Sequence, residues 1–312
     1  MPAIRTAVRT LASFLLAGAT AACADSQSVT QPVVRAATDA ISRVVQWSDI
    51  AALPVAPYTA RLAYGADTAH QFGELRLPTG TGPFPVAVVL HGGCWLNSYG
   101  LDQISQPAAD LAKNGVATWT VEYRRIGDAG AGWTGTFNDV TASINYLRQL
   151  AARYPIDTTR VVLVGHSAGG QLALWAASRS VPPSGAPAAP TLRVRGVVSL
   201  AGIADLVAYY GTSGCNASVP YLMGGSPNQV PSRYKAVSPA LRLPIGVPVR
   251  LVHGKLDNIV PTTQSSTFLT KAAAAGDNVT LTMVDSAGHF DLIMPTAAGW
   301  AAGRAAVLGL LK

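Results

Sequence analysis

The chain has little charge and almost no cysteine. Asp, Glu, Lys and Arg make up 12 % of its 312 residues, and the three cysteines are Cys23, Cys94 and Cys215. Set beside 49 % apolar residues, that charge content is the balance of a well-buried globular core of one large domain. The formal charge is +7, yet no block of Lys and Arg and no basic stretch interleaved with aromatics occurs, which argues against a nucleic-acid surface. No GxGxxG follows an early strand, and neither a Walker loop nor HExxH is present. Cys and His do not cluster at zinc spacing, so neither a metal nor a cofactor is expected. The chain shows no internal repeat. Beyond its first two dozen residues, no apolar run is long enough for a membrane helix.

Those first residues read as a targeting segment. Arg5 and Arg9 form a basic region, residues 11–22 are apolar, and small residues surround Cys23. Ala22-Cys23-Ala24 fits ordinary signal-peptide cleavage with release of a soluble protein. Thr20-Ala21-Ala22-Cys23 also fits a permissive lipoprotein box with an acylated Cys23 as membrane anchor. Either way the protein is expected to be exported, with a segment 1–24, an arm or tether over 25–55, and the main domain over 56–312. Without Cys23, Cys94 and Cys215 remain as an even pair. An oxidising compartment permits one disulfide between them, but two small buried thiols fit equally well.

From residue 56 the pattern is regular. Segments 59–64 and 71–77 alternate around Gly65-Ala66-Asp67, a hairpin signal. The continuous apolar run at 86–90 reads as a strand buried on both faces, and 116–122, 161–164, 196–200, 249–252 and 279–284 read as further short strands. Helical patterns fall at 137–154, 168–178, 263–275 and 297–311. A leading hairpin followed by strand–helix units predicts an α/β fold with a mostly parallel sheet and helices on both faces. Residues 205–241 interrupt the alternation, as an insertion over the active site would. Their Tyr209, Tyr210, Tyr221, Met223 and Tyr234 are candidates to line a pocket.

Two motifs carry chemistry. Gly165-His166-Ser167-Ala168-Gly169 lies directly between a buried strand and a helix, where a nucleophile elbow needs glycines for its sharp turn. His91-Gly92-Gly93-Cys94-Trp95 follows the strand at 86–90. Acyl transfer creates an oxyanion, and one fixed donor to it is worth roughly a hundred- to a thousand-fold in rate. The candidate donors are the backbone amides of Gly93, Cys94 and Ala168. Of five histidines only His253 and His289 follow Ser167. His253 ends a buried strand, whereas His289 lies in a loop after the last strand, as the base should. Asp257 is placed to orient that base, with Asp205 and Asp291 as competitors.

With these residues in place, the chain resembles bacterial α/β-hydrolases of the esterase and kynurenine-formamidase-like group, whose hallmark is an HGGxW oxyanion loop. Glu122-Tyr123-Arg124-Arg125, Trp133, Gly135, Phe137, Asp139 and Val140 are similar to that group, as are the GHSAGG elbow and residues 287–293. The likeness runs from about residue 58 to the C-terminus. It implies a triad of Ser167, Asp257 and His289, a substrate contact at Trp95, and no metal or cofactor. Kynurenine formamidases usually carry an aromatic residue where Cys94 stands, a departure from that branch. The expected function is hydrolysis of small carboxylic esters through an acyl-enzyme. An arylformamidase or amidase, a prolyl-oligopeptidase-like exopeptidase and a non-catalytic binding protein on the same fold are the alternatives.

Overall fold

Short alternating strands open the sheet, and the continuous apolar runs fill its centre. The computed structural model describes residues 43–178, 184–212 and 214–312, all within a compact unit that spans residues 39–312. The targeting segment 1–24, including Cys23, and the arm as far as residue 42 lie outside the described residues. The rest of the arm carries helix α1 (Trp47–Ala51), whose Ile50 is buried, as is Val45 just before it.

Strands β1 (Ala60–Ala63) and β2 (Phe72–Arg76) pair antiparallel, as the hairpin signal predicts. They lead into β3 (Phe84–Leu90), β4 (Ala117–Val121), β5 (Ile156–His166), β6 (Gly196–Leu200), β7 (Val249–Gly254) and β8 (Val279–Val284). The order across the sheet is β1-β2-β4-β3-β5-β6-β7-β8, parallel from β4 onward. Alternation along β3 divides the core. Val86, Val88 and Leu90 join one apolar cluster, and Ala87 and Val89 join the other across the sheet.

Helices cover both faces. The first cluster takes in α3 (Gly135–Asn145), α4 (Leu147–Ala151) and α5 (Ala168–Ala177), and the second takes in α1 and α2 (Ser105–Lys113). Burying one such Val, Leu or Phe side chain is worth about 1.5–3 kcal/mol. The single helical pattern at 137–154 is thus two helices meeting at Tyr146, and β5 begins five residues before the expected strand. Helix α2 escapes the periodicity because it holds Pro107, which is tolerated in a first turn, where the missing N–H has no helical partner. The insertion holds α6 (Leu206–Tyr209), α7 (Val219–Met223) and α8 (Pro231–Val237). After it come α9 (Thr263–Ala274) and the closing α10 (Ala298–Leu311). Among the described residues, no helix is long and apolar enough to cross a membrane.

Because β3, β5, β7 and β8 run parallel, their C-terminal ends share one edge of the sheet. Ligand sites of open α/β sheets lie at that edge. The loops leaving those ends begin at His91, Ser167, Lys255 and Asp285, and between them they carry Ser167, Asp257 and His289.

Candidate active site

The elbow is built by close backbone approach. A Cβ on Gly165 would collide with the Gly169 carbonyl, one on Gly169 with the carbonyls of Leu90 and His91, and one on Gly170 would lie 2.6 Å from Gly202 Cα. Ser167 between them has φ 55° and ψ −121°. A non-glycine residue held there costs about 1–3 kcal/mol, which the surrounding packing must offset. Its amide donates to Leu200 O at 2.8 Å, which pins the turn to the end of β6.

The second loop is held from beneath. His91 Nδ1 lies 2.8 Å from Gly92 O and its Nε2 2.9 Å from Glu122 Oε1, while its ring stacks on Tyr123 at 4.4 Å. Burial pushes the Glu122 carboxyl upward, but His91 and Arg125 beside it outweigh that and hold it below its ordinary value. Past His91, the backbone turns left-handed at Gly93 (φ 98°), Cys94 (φ 55°) and Trp95 (φ 57°). Among the described residues the amides of Gly93, Cys94 and Ala168 donate to no protein acceptor.

Trp95 departs from expectation. It is completely buried, its indole N–H donates to Gln171 Oε1 at 3.2 Å, and it is absent from the cavity wall. The turn that presents the amides sends this large apolar ring into the core, so it supports the loop and does not face substrate.

His289 and Asp257 meet as expected. His289 Nδ1 lies 2.7 Å from Asp257 Oδ2. Oδ1 accepts the amides of Ile259 and Val260 at 2.8 and 2.9 Å, and His253 Nε2 lies 3.2 Å from Oδ2. Burial raises the Asp257 carboxyl, but the hydrogen bonds from His253 and His289 prevail and hold it well below the usual carboxylate range. His253 thus lies on the other side of Asp257 from His289, with its Nδ1 2.8 Å from Ser265 Oγ. No described hydrogen bond joins Ser167 Oγ to His289 Nε2, a looseness common before substrate arrives.

The competing carboxylates are engaged elsewhere. Asp205 caps α6 by accepting the amides of Val207 and Ala208, and it pairs with Lys271 Nζ at 3.0 Å. Asp291 Oδ2 accepts the amides of Gly288 at 2.9 Å and Val45 at 3.1 Å. His166 Nε2 donates to His289 O at 3.1 Å. Burial, then the neighbouring His289, push the His166 pKa down to about 3, so it stays neutral beside His289.

A cavity of about 240 Å³ opens over Ser167 and His289. Its walls include Phe290 and residues that no motif pointed to: Trp47, Tyr99, Gln103 and Ile259. The aromatics of the insertion contribute nothing to it. Tyr209, Met223 and Tyr234 are buried in the core and Tyr221 is 73 % exposed. Among the described residues of the insertion, only Cys215 reaches the cavity, through a disulfide to Cys94 with Cα atoms 5.1 Å apart. That bond resolves the choice between bridge and free thiols, and it ties the oxyanion loop to the insertion. Reduction is therefore expected to destabilise the fold by about 2–4 kcal/mol and to lower turnover. Thermal unfolding and kcat with and without a phosphine reductant test this; unchanged values would show that the bridge holds neither.

A parallel sheet with Ser167 at a strained elbow, and a paired His289 and Asp257 beyond its later strands, defines an esterase-like α/β-hydrolase. The chain belongs to the BD-FAE family, whose sequence model matches residues 74–272. It is 26 % identical over 247 residues to a probable isoprenylcysteine alpha-carbonyl methylesterase of Oryza sativa subsp. japonica. That match covers 75 % of this chain but only 57 % of the plant protein's length. A truncated carbohydrate esterase from gut microbiota superposes with a TM-score of 0.70 at 21 % identity, over 82 % of this chain and 96 % of its own. Esterase 2 of Thermogutta terrifontis phosphonylated by sarin gives 0.69 at 19 % identity, over 86 % and 99 %.

Proposed function

We propose that the protein hydrolyses carboxylic esters with short acyl chains, outside the cytoplasm, through an acyl-enzyme on Ser167. The observation that carries this is the convergence on one cavity of the strained Ser167, the His289–Asp257 pair and the unpaired amides of Gly93 and Cys94. His289 takes the Ser167 proton as Oγ attacks the ester carbonyl. The amides of Gly93, Cys94 and Ala168 stabilise the resulting oxyanion. His289 then protonates the departing alcohol, and water cleaves the acyl-enzyme by the same route in reverse. Asp257 keeps the proton-bearing Nδ1 of His289 aimed toward itself, which leaves Nε2 for the serine.

The esterase and methylesterase names of the relatives support ester over amide substrates. The basic and apolar character of residues 1–24 supports export, which removes the enzyme from cytosolic formamides. The size of the cavity supports a short acyl group. A kcat/KM panel tests the proposal: nitrophenyl esters from acetate to decanoate, N-formylkynurenine and a prolyl anilide. The expected result is an optimum at short acyl chains, far above both amides. An amide preferred by tenfold, equivalent to about 1.4 kcal/mol of transition-state discrimination, would overturn it.

A further inference from the structure

The Cys94–Cys215 disulfide is one end of a longer connection. Cys94 belongs to the oxyanion loop, and the bridge joins it to the single turn Gly214–Ser218 of the insertion. From Cys215 a continuous path of hydrogen bonds runs on to Asp257. The Cys215 amide donates to the Tyr209 hydroxyl at 2.8 Å, and that hydroxyl donates to Ile259 O at 3.3 Å. The amide of the same Ile259 donates to Asp257 Oδ1 at 2.8 Å, and Val260 beside it adds a second donor at 2.9 Å. The other oxygen of Asp257 faces His289 Nδ1 at 2.7 Å. One hydroxyl, on Tyr209, is therefore the junction between the bridged turn and the loop that carries Asp257.

The surroundings fix that junction. The Tyr209 ring is completely buried, and its backbone amide donates to Asp205 O at 2.9 Å, at the capped start of α6. Burial, against the opposing effect of the Cys215 amide, pushes its phenol up to about 12, so the hydroxyl keeps its proton and continues to donate. Gly214 allows the close approach. It has φ 73°, and a Cβ there would collide with Ile259 O and lie 2.7 Å from the Tyr209 hydroxyl oxygen. A side chain at this position would force the bridged turn off the junction.

We propose that Tyr209 is a positioning residue that ties the oxyanion loop to Asp257 through the Cys94–Cys215 bridge, so that both halves of the active site hold one geometry. The proposal rests on the reading of Ser167, His289 and Asp257 as a triad. Tyr209 is not part of the cavity wall, and it acts only through Cys215 and Ile259.

The test is a cycle of four full-length species: wild type, Tyr209→Phe, Cys94→Ala with Cys215→Ala, and all three substitutions together. Phenylalanine keeps the buried ring and removes only the hydroxyl. Each species is measured for kcat and KM on nitrophenyl acetate, for the rate of Ser167 labelling by a fluorophosphonate, and for thermal unfolding. Tyr209→Phe is expected to lower kcat and the labelling rate about tenfold at nearly unchanged KM, the scale of one lost buried hydrogen bond. Breaking the bridge is expected to lower both rates as well. Since both cuts fall on one path, the combined variant should lose far less than the product of the two losses. A Tyr209→Phe enzyme that loses thermal stability but keeps kcat and labelling would have a merely structural hydroxyl, which overturns the proposal, as do losses that simply multiply. Phosphine reduction of the wild type and of Tyr209→Phe gives the same comparison if the cysteine variants do not fold. A wild type that labels at Ser167 yet cleaves no ester overturns the ester reading alone, because the labelling rates still decide on Tyr209. A folded wild type that does not label overturns the triad and the role of Tyr209 together.

Discussion

Ser167→Ala is expected to abolish labelling by a fluorophosphonate and to lower kcat by about a million-fold, the scale seen when the nucleophile of a triad that works as a unit is removed. The label needs a serine oxygen that can be reached from the cavity and deprotonated by a neighbour. Ser167 meets the first condition because it lines the cavity at the strained elbow, although it is buried from bulk solvent. Intact-mass analysis should find one adduct on the wild type and none on the variant. Equal labelling of both would move the nucleophile elsewhere. Because alanine is smaller and the elbow is set by Gly165, Gly169 and Gly170, the variant should stay folded.

The second large effect is expected at Asp257. Asp257→Asn keeps the shape of the side chain but replaces an acceptor with an amide, which favours the wrong tautomer of His289. The loss in kcat should be about ten-thousand-fold. Asp205→Asn should do far less, since Asp205 caps a helix and pairs with Lys271. Asp291→Asn should also do far less, since Asp291 holds the backbone amides of Gly288 and Val45 and makes no described contact with His289's ring. A larger kcat loss at either of these would transfer the role. The pH dependence has a definite sign. The Asp257 carboxyl is held below its unfolded value, so its ionised form stabilises the fold above about pH 4, and that contribution is lost as the pH falls further. The acid limb of the kcat/KM profile should therefore not come from Asp257. Loss of the variant's stability below about pH 4 should be shallower than that of the wild type.

The sheet was legible because its signals are local. The buried strand at 86–90 is a continuous apolar run, and the elbow's glycines announce a turn between a strand and a helix. The order of Ser167, Asp257 and His289 along the chain was legible too. A parallel sheet can deliver those residues to one edge only from the ends of successive strands.

Trp95 shows where that reasoning stops. A tryptophan beside an oxyanion loop looks like a substrate contact in sequence, yet the left-handed backbone at Gly93, Cys94 and Trp95 turns the ring inward to Gln171. Side-chain direction there depends on backbone dihedrals that composition does not encode. The Cys94–Cys215 bridge and the pairing of Asp291 with Val45 join residues 121 and 246 positions apart, and nothing local marks either partner.

The chain's own pattern thus determined the hydrolase architecture and the elbow, and it singled out Ser167, His289 and Asp257 as the candidate triad, because those depend on strand, turn and chain order. Only the tertiary structure decided that an arm resembling a tether supplies Trp47 to the cavity, that the insertion's tyrosines and methionine pack away from the cavity, and that His253 lies on the far side of the acid. Those outcomes follow from which distant surfaces are packed together, and burial of apolar area has no direction along the sequence.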